Sequence, residues 1–263
     1  MQNVFKSSSV QHVAIAKAVD VIEERILSLS KWRASNNCLE RQTDRRHRNS
    51  IRVLNMASLN GTLKLSLWAW LFRQSMDELE EAYASARSAA DSTRERLNRE
   101  WEEFKREVDE GHAKLYEEDD DGQVVYDHGD EMWNRDQQAE GVLKLVREAF
   151  VISLHHFWER EINRRMKRTR YEEKKAFKFL EEAGLQLEKE SLTALRLAAN
   201  VAKHSEGGSA DDLYLLRPDL FDAKAIKEGE KPGFSTLIIT DEVAARFFEA
   251  VRRSGPRVPS QTA

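Results

Sequence analysis

Proline is almost missing from this chain: there are four in 263 residues, and the first is Pro218. Glycine is scarce as well, at 11 residues. Long stretches therefore contain neither strong helix breaker, which points to an all-α class. Cysteine is limited to Cys38. One thiol excludes an intramolecular disulfide and a Cys-rich metal cluster, and it favours a reducing compartment, so the expected location is cytoplasmic. No basic, then apolar, then small-residue pattern opens the sequence, so a secretory signal is not expected. The longest apolar run, Leu63 to Phe72, is interrupted by Lys64. It reaches about half of the ~20 residues a spanning helix needs, so it reads as buried helix and no membrane partner is expected. Charge of one sign is also lacking. With 42 basic and 46 acidic side chains the net charge is −4, which excludes a global attraction to nucleic acid and leaves local asymmetry to matter.

What is present is helical periodicity. Apolar residues Val10, Val13, Ala14, Ala18, Val21, Ile22, Ile26 and Leu29 share one helical face. The pattern fails from Ser30 to Asn60, where Arg41, Arg45, Arg46, His47 and Arg48 form a basic cluster, so residues 1–60 read as an N-terminal helix and a basic linker. Residues 61–116 carry the strongest signal: Phe72, Met76, Leu79, Tyr83, Ala86, Ala90, Leu97, Trp101, Phe104, Val108 and Leu115 follow steps of three and four. A long coiled-coil-like helix follows, whose narrow seam needs a partner, either another helix of the chain or a second subunit. Glu117 to Glu131 holds eight acids and no Lys or Arg, so 117–133 reads as an acidic linker and a domain boundary.

Residues 134–253 then read as a helical bundle. A second long helix is expected from Asn134 to Arg168, a short one from Glu172 to Ala183 stopped at Gly184, and another from Lys189 to Ser205. Ser209 is positioned to cap a further helix that Arg217-Pro218-Asp219 ends, and Asp241 to Arg253 makes the last amphipathic helix. Thr236 to Thr240 is β-rich, so at most one short strand is expected, at 236–240. The Gly- and Pro-bearing stretch 254–263 reads as a disordered tail.

The most distinctive segment is Leu195-Arg196-Leu197-Ala198-Ala199-Asn200-Val201-Ala202-Lys203-His204. On a helix Arg196, Asn200 and His204 are i, i+4 neighbours and form a polar stripe. The Asn-x-x-x-His of Asn200 and His204, with the helix around Ala149 to Arg160 before it and Arg217-Pro218-Asp219-Leu220-Phe221 after it, resembles the HEPN-like helical domains of bacterial defence and toxin systems. The resemblance covers about 134–208. It implies a homodimer in which two motifs meet, a metal-independent endoribonuclease, and a role in phage defence, toxin–antitoxin or RNA stress response. In that scheme His204 is the general acid or base, Asn200 orients it or touches phosphate, Arg196 or Lys203 supplies positive charge, and Glu159 holds Arg196 from the facing helix.

The chain departs from the HEPN pattern at one position: Ala199 stands where the resemblance implies an arginine. Losing a preorganised donor of that kind raises a barrier by about 3–4 kcal/mol. A non-catalytic RNA- or protein-binding module is therefore the alternative, as is a partner-neutralising component whose acidic segment contacts a basic protein of the same operon. Structural roles compete for each residue too: an ion pair for Arg196, a helix C-terminal contact for His204, a buried polar contact for Asn200.

Arg160, Arg164, Arg165 and Arg168, with Lys167, Arg170, Lys174 and Lys175 nearby, form a basic stretch that suits RNA phosphates or equally a solvated helix end. Adjacent His155 and His156 point about 100° apart on a helix and do not chelate in the i, i+4 manner of zinc helices, so no metal ligand is assigned. With no phosphate loop, dinucleotide fingerprint or nucleophile elbow in the sequence, no cofactor is expected.

Overall fold

The computed structural model describes residues 56–204 and 207–257. The chain falls into two compact units, Met1–Lys64 and Leu65–Ala263. The expected helix over residues 10–29 and the basic cluster Arg41 to Arg48 lie outside the described residues.

The architecture is all-α. Helix α1 spans Met56–Asp109, 54 residues, or about 80 Å at 1.5 Å per residue. It starts before the expected position, so residues 56–60 are helix rather than linker. Nothing between Gly61 and Gly111 breaks it; at Gly111 the backbone turns left-handed (φ 76°), and the amides of His112 and Ala113 fold back onto the Glu107 carbonyl.

The acidic segment is not a linker. Strands β1 (Tyr116–Glu118) and β2 (Val124–Asp127) pair antiparallel, with Tyr116 opposite Asp127 and Glu117 opposite Tyr126. Like charge alone suggested an unpacked chain, but Asp119 organises the turn by accepting the amides of Asp121 (3.0 Å) and Gln123 (2.8 Å). Helix α2 (His128–Met166) follows at once, capped by the Asp127 carboxylate on the amides of Gly129 and Asp130. It ends at Lys167, whose left-handed conformation (φ 53°) lets the Arg168 amide reach the Asn163 carbonyl.

The hairpin folds α2 back along α1, so the partner the α1 seam requires is α2 of the same chain. Phe72 meets Phe157 (ring centroids 5.2 Å), Tyr83 meets Phe150 (5.3 Å), and Arg94 meets Asp136 (3.0 Å) and Glu140 (2.7 Å). Because α2 runs through both the paired arm and the bundle, no boundary falls at 117–133.

The bundle adds α3 (Glu173–Glu182), α4 (Lys189–His204), α5 (Gly208–Leu216), a 3-10 turn (Pro218–Leu220), α6 (Ala223–Lys227) and α7 (Asp241–Ser254). Helices α2, α4 and α7 pack on one another around Trp158, Leu154, Ile162, Leu195, Phe247 and Val251, all fully buried. Gly184 takes the expected left-handed turn (φ 80°). Ser209 caps nothing; Gly207 is the N-cap of α5 and Ser209 lies inside its first turn.

At 236–240 the chain leaves a turn at Thr236 and makes a single bridge, Leu237 opposite Phe221, too little for a strand. The sheet among the described residues is the hairpin alone. Of the expected disordered tail 254–263, residues 258–263 lie outside the described residues, and Ser254, Gly255 and Pro256 are buried rather than loose. Ser254 Oγ accepts the Glu188 amide at 2.9 Å, and Gly255 lies so close to Phe72 that a Cβ would sit 2.2 Å from its ring. No helix of the described residues is long and apolar enough to cross a membrane.

Candidate functional site

Helix α4 presents two faces. Leu195, Ala198 and Ala199 are buried, and Arg196, Asn200 and His204 follow one another on the more open side, as their spacing requires. His204 and Lys203, in the last turn, are exposed, and Asn200 is half-buried.

Beyond α4 the chain turns at Gly207, whose φ of 129° is open only to glycine, and enters α5. Asn200, Val201 and His204 then line a cleft of about 210 Å³ with Gly207, Gly208, Ser209 and Ala210. It is smaller than the ~300 Å³ at which small-molecule pockets begin, so it suits one phosphate-sized group. The first turn of α5 borders it, where the positive end of a helix dipole favours an anion, although the Ala210 amide bonds the Gly207 carbonyl (2.9 Å) and Asp211 already places one acid in that turn.

Arg196 is not held by Glu159. Its Nε and Nη2 meet the two carboxylate oxygens of Glu173 at 3.0 and 3.4 Å, because the first turn of α3 comes to lie beside α4. Glu159 instead faces His156, with 3.5 Å between its Oε2 and the His156 Nδ1. The cation nearest the expected place is therefore committed to a carboxylate, and Ala199, fully buried, leaves no room for another.

The basic stretch is likewise not a row of unpaired cations. Arg164 pairs with Glu161 (2.8 Å), Arg168 with Glu172 (3.1 Å) and Lys175 with Glu172 (2.5 Å), while the Arg165 guanidinium lies over the Trp68 ring at 4.8 Å. Arg160 is exposed. The Arg168 and Lys175 pairs with Glu172 are exposed and worth under about 1 kcal/mol each, whereas the Glu161 carboxylate that meets Arg164 is buried.

Residue patterns undervalued His155. It is 5% exposed, and neither ring nitrogen has a hydrogen-bond partner. Burial, reinforced by the positive charges of His156, Lys203 and Arg196, pushes its pKa down to about 4 and keeps the imidazole neutral. Tyr171 stands edge-on to it (6.2 Å, 89°) and accepts a hydrogen bond from Trp158 Nε1 (3.2 Å); burial raises the Tyr171 phenol to about 12. The adjacent histidines do diverge, but Glu159, one turn on from both, was the missing member. One donor atom from each of His155, His156 and Glu159 lies within 4.8 Å of the others. The i, i+4 spacing of His155 and Glu159 was the signal that could have found it.

No protein-family model matches the chain, and no curated protein or solved structure matches it.

Proposed function

We propose that this chain is a HEPN-like helical module that binds RNA through the cleft between α4 and α5, in a bacterial defence, toxin–antitoxin or RNA stress response in the cytoplasm. One observation carries the reading: Asn200 and His204 line the same phosphate-sized cleft at the N-terminus of α5. Binding is favoured over cleavage because the bidentate pair with Glu173 occupies Arg196 and position 199 is a buried alanine. Fluorescence anisotropy with a single-stranded RNA oligonucleotide tests it. Asn200→Ala and His204→Ala are expected to weaken binding by about tenfold each, the size of one lost charge-assisted contact. Equal affinity in all three proteins contradicts the reading.

The exposed Lys203 beside His204 favours a second reading, a metal-independent endoribonuclease in which His204 moves the proton and Lys203 supplies the positive charge. A homodimer that brings two such motifs together belongs to that reading. Cleavage of total RNA in EDTA by the wild type and not by His204→Ala supports it; intact RNA with both counts against it.

A protein partner of the same operon is the reading the arm tip supports. Val124, Val125 and Trp133 are more than half exposed there, among eight acids, a combination suited to a basic protein surface.

A further inference from the structure

Both nitrogens of His155 are buried without a partner, an arrangement that costs free energy unless something satisfies it. Solvent does not reach either ring nitrogen, and no side chain hydrogen-bonds to them. The groups that lie next to it are donors of the kind a transition metal takes. His156 and Glu159 sit on the same side of α2, with the His156 Nδ1 and the Glu159 Oε2 already 3.5 Å apart.

We propose that His155, His156 and Glu159 form a binding site for one divalent transition ion of the zinc class, with the fourth coordination position open. One donor atom from each of the three side chains lies within 4.8 Å of the other two. A tetrahedral ion with bonds of ~2.0–2.1 Å needs its donors about 3.4 Å apart, so the donors must close by up to about 1.4 Å. Two imidazoles and one carboxylate form a borderline donor set, suited to Zn²⁺ rather than to Ca²⁺ or Mg²⁺, which take oxygen ligands.

Arg196 and Lys203 project positive charge toward His155 and oppose a bare dication. The Glu159 carboxylate offsets part of that charge, and the pair with Glu173 absorbs that of Arg196. Three protein ligands with an open position is the arrangement of catalytic zinc, whereas structural zinc is closed by four.

The site does not include the α4–α5 cleft and does not rest on RNA binding. Full-length protein stripped with a chelator and dialysed is titrated with Zn²⁺ by calorimetry and with Co²⁺ by visible absorption, with no RNA present. The expected result is one equivalent of saturable uptake with a cobalt d–d band. His156→Ala and Glu159→Gln, both at partly exposed positions and checked for native circular dichroism, should each weaken uptake at least tenfold. Absence of saturable uptake overturns the proposal. So does uptake that is the same in wild type and in both variants, since the ion would then sit on other residues.

Discussion

The two ends of the α1–α2 pair are built from one heptad-like seam yet bury very different amounts of surface. At the base, Phe72, Met76 and Tyr83 of α1 and Phe150, Phe157 and Trp158 of α2 are all buried, and α4 and α7 pack on α2 there. Tyr83 stacks on Phe248 of α7 at 5.8 Å. Toward the tip only two helices remain. Trp101 stacks on Phe104 (5.8 Å) and Phe104 lies against His128 (4.7 Å), both aromatics half-exposed, and ion pairs from Arg94 and Arg135 hold the helices together. Periodicity alone thus says that a stripe exists; the number of neighbouring helices decides what the stripe is worth.

The largest effect is expected where that difference is greatest. Trp158→Ala should cost about 4 kcal/mol, as large-to-small core changes do. Trp101→Ala, at a partly exposed position, should cost less than half of that. Urea unfolding of the two variants checks this, and equal costs would erase the distinction between base and tip.

Gly255→Ala should follow at about 2 kcal/mol, because its methyl group would enter the space of the Phe72 ring. Thermal unfolding measures it; unchanged stability would mean that the segment after α7 does not press on the base.

Asp241 ties α7 to both long helices. It accepts the Tyr83 hydroxyl (2.6 Å) and Arg147 Nε (3.0 Å), with Arg87 at 3.3 Å. Burial alone would raise its pKa, but these hydrogen bonds and charges hold it below the usual carboxylate range. Asp241→Asn should cost about 2 kcal/mol at neutral pH. A depressed folded-state pKa stabilises above the unfolded value, about 4, and that contribution is lost as pH falls through the lower folded-state value. The wild type should therefore lose more stability between neutral and acid pH than Asp241→Asn does, and parallel melting curves across that range would contradict this.

The smallest effect belongs to the tip. Arg94→Ala breaks two exposed pairs and should cost under about 1 kcal/mol, with salt reducing the difference further. A loss above 2 kcal/mol would show that the tip depends on ion pairs as strongly as the base depends on burial.

Much of the helical layout was legible in the residues, because proline is absent before Pro218 and the spacing from Phe72 to Phe104 is regular. The hairpin was not, since a run of acids looks unpacked unless one notices that Asp119 and Gly122 supply a turn and Val124-Val125-Tyr126 a strand. The burial of Ser254 to Pro256 depends on where Phe72 comes to lie, a contact between positions some 180 residues apart that no local pattern carries. At the site, spacing placed Arg196, Asn200 and His204 on one line of α4. It did not reveal that Glu173 would claim Arg196, because that depends on how α3 packs against α4.

The most direct test is a histidine-resolved NMR titration of the full-length protein with a short single-stranded RNA. RNA in the α4–α5 cleft should shift the imidazole signal of His204, assigned through His204→Ala, and leave that of the distant arm residue His112 in place. A His204 signal that stays put while RNA binds would contradict the assignment of the cleft as the RNA site.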